Sequence, residues 1–83
     1  MLHNPPVSNI KHLIQLTNLM VSQQQISAST GEKIAVAFIL NDMSLLPSEH
    51  NDVIYAWERL GYWQSYVKLI KQDYWHMIEV DDT

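Results

Sequence analysis

The sequence predicts an all-α fold, a compact bundle of four short helices, on three observations. Apolar residues recur at helical spacing in three separate segments. The connectors between segments are short and carry helix start and stop signals. A central segment, Ile34-Ala-Val-Ala-Phe-Ile-Leu40, is apolar all round and has helical neighbours on both sides. Four helices with short connectors pack most economically as a bundle.

The first element runs from Asn9 to about Gln24. At 100° per residue, Ile10, Leu13, Ile14, Thr17, Met20 and Val21 share one arc. The opposite arc is polar except for Leu19. Ser8 is a credible N-cap, because Pro5-Pro6 blocks helix before it. The Ser-rich connector from Ile26 to Thr30 leads into a capping box, Ser29 with Glu32, although Thr30 could serve as the cap instead. A helix apolar on all sides belongs in a core or an interface. A buried strand competes for Ile34–Leu40, since Ile34, Val36 and Ile39 are β-branched. The start signal and the two Ala favour helix.

Asn41 to Pro47 reads as a turn region. Ser48 can cap a third helix, with Glu49 and Asp52 at the positive end of its dipole. Val53, Ala56, Trp57 and Leu60 form its inner arc, and Gly61 is placed to end it in a left-handed cap. A fourth helix is expected from about Tyr62 to Glu79. Its stripe is Trp63, Tyr66, Val67, Ile70, Tyr74, Met77 and Ile78. Residues 1–83 then make one helical domain, with 1–7 an extended leader and 80–83 a frayed tail.

Composition narrows the function classes. Apolar residues are 47% and charged residues 17% of the chain, which argues for a globule over disorder. There is no cysteine, so disulfides and thiolate metal sites are excluded. That fits a cytoplasmic setting. Net charge is −4, which disfavours nucleic acid or an anionic membrane as partner and allows a basic protein. No segment approaches the roughly 20 apolar residues of a membrane span. The first residues have no basic stretch followed by an apolar one, so no secretory signal is expected there.

Four residues break the helical patterns and, together with Arg59, are the candidate interaction residues. Trp75 sits about 120° from Trp63 on the projected fourth helix and should face away from its stripe. Tyr55 lies between polar neighbours on the third helix, as Leu19 does on the first. Isolated apolar residues are normal on surfaces, but Trp and Tyr concentrate where binding energy concentrates. Asp73 lies at the edge of the fourth stripe. It either reaches water or a Lys, or pairs across an interface with Arg59 or a partner's basic group.

Chemistry-bearing constellations are sparse. Gly31 and Gly61 are far apart and belong to no phosphate-binding fingerprint. The histidines form no pair at metal-ligand helical spacing beyond His76 with Glu79, three residues apart. Ser48, Glu49, His50 and Asp52 are close in sequence but point in different directions on a helical turn, so they make no triad. The second and third helices resemble a helix-turn-helix only loosely. The candidate reading helix carries three acids against Arg59, where phosphate contacts need bases. No cofactor and no metal is expected.

The expected function is therefore a small non-catalytic helical protein-interaction module: an adaptor, regulator or inhibitor of another protein. Three alternatives stand beside it. One is a structural homodimer, motivated by the all-apolar helix that so short a chain has difficulty wrapping. The second is a regulator that binds or mimics nucleic acid, and the third is a small enzyme.

Overall fold

A computed structural model describes residues 8–80; the leader, and the tail beyond Val80, lie outside the described residues. The α-helices are α1 (Ser8–Gln23), α2 (Thr30–Leu40), α3 (Val53–Arg59) and α4 (Trp63–Asp73). Short 3-10 turns span Met43–Leu45, Ser48–His50 and Trp75–Met77. No strand occurs among the described residues. None of these helices is long and apolar enough to cross a membrane.

Helix α1 begins at Ser8 itself, and the position before it is outside the described residues. It buries Ile10, Leu13, Ile14 and Thr17 as its arc requires, and also Leu16. Thr17 is fully buried because its hydroxyl donates to the Leu13 carbonyl at 2.7 Å, so no polar atom there is left unsatisfied. The helix ends where Gln24 takes a left-handed conformation, φ 64°, and its N–H closes on the Met20 carbonyl at 2.8 Å.

The capping box at α2 forms as its sequence predicts. The Glu32 N–H donates to Ser29 Oγ at 3.2 Å, and the Ser29 N–H donates to Glu32 Oε1 at 2.9 Å. At the other end Asn41 is left-handed, φ 56°. Its N–H reaches the Phe38 carbonyl at 3.2 Å, and the Asp42 N–H reaches the Ala37 carbonyl at 2.9 Å. This is the Schellman arrangement, and it satisfies two carbonyls that the helix end would otherwise orphan.

Between these caps α2 is the centre of the molecule. It packs against α1, α3 and α4, and Ile34 to Ala37 and Ile39 are fully buried. Ala35 and Ala37 let neighbouring helices approach closely, while each buried Ile contributes roughly 1.5–3 kcal/mol. Within one chain the apolar segment is thus largely covered, with Phe38 and Leu40 half-buried. The rest of the core is Leu46, Ala56, Leu60, Val67, Ile70 and Ile78.

Two boundaries differ from the sequence expectation. Ser48 does not cap α3: it opens a separate 3-10 turn, and its hydroxyl donates to Glu49 Oε2 at 2.6 Å. Asp52 is the cap, with Oδ1 accepting from the Tyr55 N–H at 3.0 Å. The later start leaves Val53 exposed and confines the buried face of α3 to Ala56 and Leu60, with Trp57 half-buried. The fourth helix is shorter than expected. It stops at Asp73, since Tyr74 at φ −122° and ψ 14° leaves helical geometry. Trp75 to Met77 then form a 3-10 turn, and Ile78 is extended. Met77, expected on the buried stripe, is exposed for that reason, whereas Ile78 still reaches the core. Val80, assigned to a frayed tail, packs against the core and is half-buried.

Candidate functional site

Helix α3 is two turns long and presents most of its surface to water. Its cap at Asp52 and the left-handed Gly61, φ 57°, fix both ends. Gln64 Nε2 adds a bond to the Trp57 carbonyl at 2.8 Å. With Ala56 and Leu60 turned inward, the 3.6-residue period sends Ile54 outward on the opposite side. Ile54 is 73% exposed and Tyr55 59% exposed. Just beyond the helix, Tyr62 is 72% exposed and meets Tyr66 edge-on, with ring centroids 5.8 Å apart. Tyr55 stacks on His50 at 6.3 Å with the rings nearly parallel. Ile54, Tyr62 and Tyr55 are the most exposed large hydrophobic side chains among the described residues.

The five sequence candidates fall at separate places. Tyr55 and Arg59 belong to α3. Trp75 lies in the 3-10 turn after α4, so the helical projection that separated it from Trp63 does not apply; it is 39% exposed. No ring contact or hydrogen bond joins Trp75 to Tyr55. Leu19, 42% exposed, has the C-terminal segment as its neighbour: it lines a shallow hollow with Gln15, Asn18, Ser22 and Glu79. Asn18 ties that segment down. Its Nδ2 donates to the Met77 carbonyl at 3.0 Å, and its Oδ1 accepts from the Glu79 N–H at 2.8 Å. Asp73 and Arg59 are exposed and form no ion pair; the one ion pair among the described residues joins His12 Nε2 to Glu32 Oε2 at 2.8 Å.

Among the described residues, the reactive groupings weighed from the sequence do not come together. The Ser48 hydroxyl is committed to Glu49, Asp52 is committed to the α3 cap, and the buried His50 Nδ1 has no hydrogen-bond partner. No Ser–His–acid relay connects them. Glu49 is held below the usual carboxylate range by the Ser48 hydroxyl, which makes it a weaker base. Among the described residues no three His, Asp or Glu side chains gather as a metal site would require. His76 lies in the 3-10 turn and Glu79 beyond it, so they do not share a helical face. Residues 41–52, with two 3-10 turns, separate α2 from α3, far more than the three or four residues of a helix-turn-helix.

Sequence reasoning missed Ile54, Tyr62 and Asn18. For Ile54 the signal was present: Val53-Ile54 is a β-branched pair in a helix whose inward phase is set by Ala56 and Leu60, so both cannot be buried. Nothing local marks Asn18, because its role depends on a segment about sixty residues away. Comparison with known protein families, with curated proteins and with solved structures finds no match to this chain.

Proposed function

We propose that the protein is a non-catalytic helical interaction module, an adaptor, regulator or inhibitor, that binds another protein through the outer face of α3. The observation that carries this reading is the exposure of Ile54 beside Tyr55. An Ile left in water forgoes roughly 1.5–3 kcal/mol of burial, which association with a partner recovers. Tyr55 beside it, and the exposed Tyr62 just past the end of the helix, are large, stiff side chains of the kind that dominate interface energetics. Arg59, in the last turn of the same helix, supplies a charged rim. Trp75 and Leu19, on other elements, are secondary to this face. The net charge of −4 favours a partner with a basic surface. A cysteine-free chain draws no stability from an oxidising compartment, and the proposal places it in the cytoplasm.

A photoreactive benzophenone side chain at position 54 tests the reading in cells expressing the protein. The expected result is a discrete heavier adduct that disappears with Tyr55→Asp, while the same probe at Gln15 gives none. Adducts of twice the chain mass would make the α3 face a homodimer seam. No adduct from positions 54, 55 or 62 would sink the reading.

A further inference from the structure

We infer that the groove between α2, α3 and α4 is a second binding site, and that it takes an acidic peptide segment with one apolar anchor side chain. The groove has a volume of about 420 Å³, and its floor is Phe38, Trp57 and Val67. The Phe38 and Trp57 rings are 5.0 Å apart and inclined at 59°, and both line the groove. Lys68, Lys71 and Gln72 of α4 form the remaining edge.

Charge decides what the groove accepts. The chain has five Lys and Arg residues, and two of them line this one groove of a protein whose net charge is −4. Neither ammonium has a carboxylate within ion-pair distance among the described residues. Lys68 Nζ stands 6.0 Å from the Trp57 ring centroid, the outer limit of a cation–π contact, and keeps its three donors. Lys71 Nζ donates once, to the Phe38 carbonyl at 2.9 Å near the end of α2, and has two donors left. The neighbouring acids Glu58 and Asp73 do not line the groove. An apolar floor beneath unpaired ammoniums fits an apolar side chain flanked by carboxylates.

The groove's shape selects a peptide. A small ligand needs a cavity that buries most of its surface. This groove is open to solvent, so a bound chain can leave its backbone in water while one side chain inserts. Gln72, also on the lining, adds an amide that can bond a peptide backbone. Ile54 and Tyr55 are not among the lining residues, so this site is independent of the α3 outer face.

The test titrates the ¹⁵N-labelled full chain with an acetylated, amidated heptapeptide holding one Phe between Asp and Glu residues. Saturable shifts are expected at the Phe38, Lys68 and Lys71 amides and at the Trp57 indole N–H. Charge reversal at the exposed Lys68, by Lys68→Glu, should weaken binding about tenfold, as should replacing the peptide's acids by Asn and Gln. Added salt should weaken it too. The inference fails if the amide peptide binds as tightly, or if no saturable shift occurs at millimolar peptide. Equal binding of phenylacetate would overturn the peptide as occupant. Shifts centred on Ile54 and Tyr55 would overturn the groove and leave the α3 proposal standing.

Discussion

The side chain of Asn18 holds the backbone of Glu79 against α1, accepting its N–H at 2.8 Å while donating to the Met77 carbonyl at 3.0 Å. One amide thus pairs with residues two apart, Met77 at the end of the 3-10 turn and Glu79 just beyond it. The clasp keeps Ile78, between them, in the core.

Asn18→Ala should therefore loosen the C-terminal segment. Two lost hydrogen bonds predict a cost of about 1–2 kcal/mol, readable as a lower urea midpoint. Asn18→Asp should be at least as harmful, because a carboxylate cannot donate to the Met77 carbonyl. Equal stability of both variants with the parent chain would show that Ile78 docks without the clasp.

Glu32 makes the fold sensitive to acid. Its carboxylate is held below its ordinary value of 4.5, chiefly by the Ser29 N–H, with the Ser29 hydroxyl-side contact and His12 adding to the effect and partial burial opposing it. A lowered folded value means that the stabilisation is complete above the unfolded value and is lost as pH falls through the folded one. Glu32→Gln should lower Tm at pH 6, and the difference should shrink as pH falls below the ordinary value of 4.5 and the native carboxylate protonates. A Tm gap unchanged between pH 6 and pH 3 would disprove this.

Two isoleucines separate core from surface. Ile39 is fully buried in α2, and Ile39→Ala should cost about 2–5 kcal/mol in equilibrium unfolding. Ile54→Ala should stay within about 0.5 kcal/mol, because almost no packing is lost. A large loss at Ile54 would mean that α3 sits differently and that its outer face is core.

Left-handed positions give opposite signs. Gly61 has open space around its Cα, so Gly61→Ala would be penalised only through its φ of 57°, by about 1 kcal/mol. Gln24 adopts φ 64° with a side chain, and Gln24→Gly should gain up to about 1 kcal/mol. Differential scanning calorimetry reads both shifts. A destabilised Gln24→Gly would show that the side chain contributes more than its backbone strain costs.

Local chemistry made much of the fold legible. The Ser29–Glu32 box, the arc of α1 and the left-handed Gly61 each depend on residues within a turn or two, where the helical period fixes geometry. The sequence pattern names Ser48 as the cap of α3 and puts Asp52 in its first turn, although Asp52 is an equally good acceptor ahead of the same apolar run. The choice fell to Asp52 once Ser48 was drawn into its own turn with Glu49. The end of α4 had no such mark: Asp73-Tyr74-Trp75 contains neither Gly nor Pro, and the apolar period continues through it.

By itself the sequence determined that this chain is an all-α bundle built around an apolar central helix, because periodicity and caps act over a few residues. Only the tertiary structure decided which surfaces are free. Trp75 lies outside α4 because the helix ends at Asp73, and Asn18 holds the segment beyond it onto α1. Ile54 came to the surface because α3 has room to bury only Ala56 and Leu60. Lys68 and Lys71 became a groove edge because α4 packs beside Phe38 and Trp57. Each outcome depends on contacts between distant residues, which no local pattern encodes.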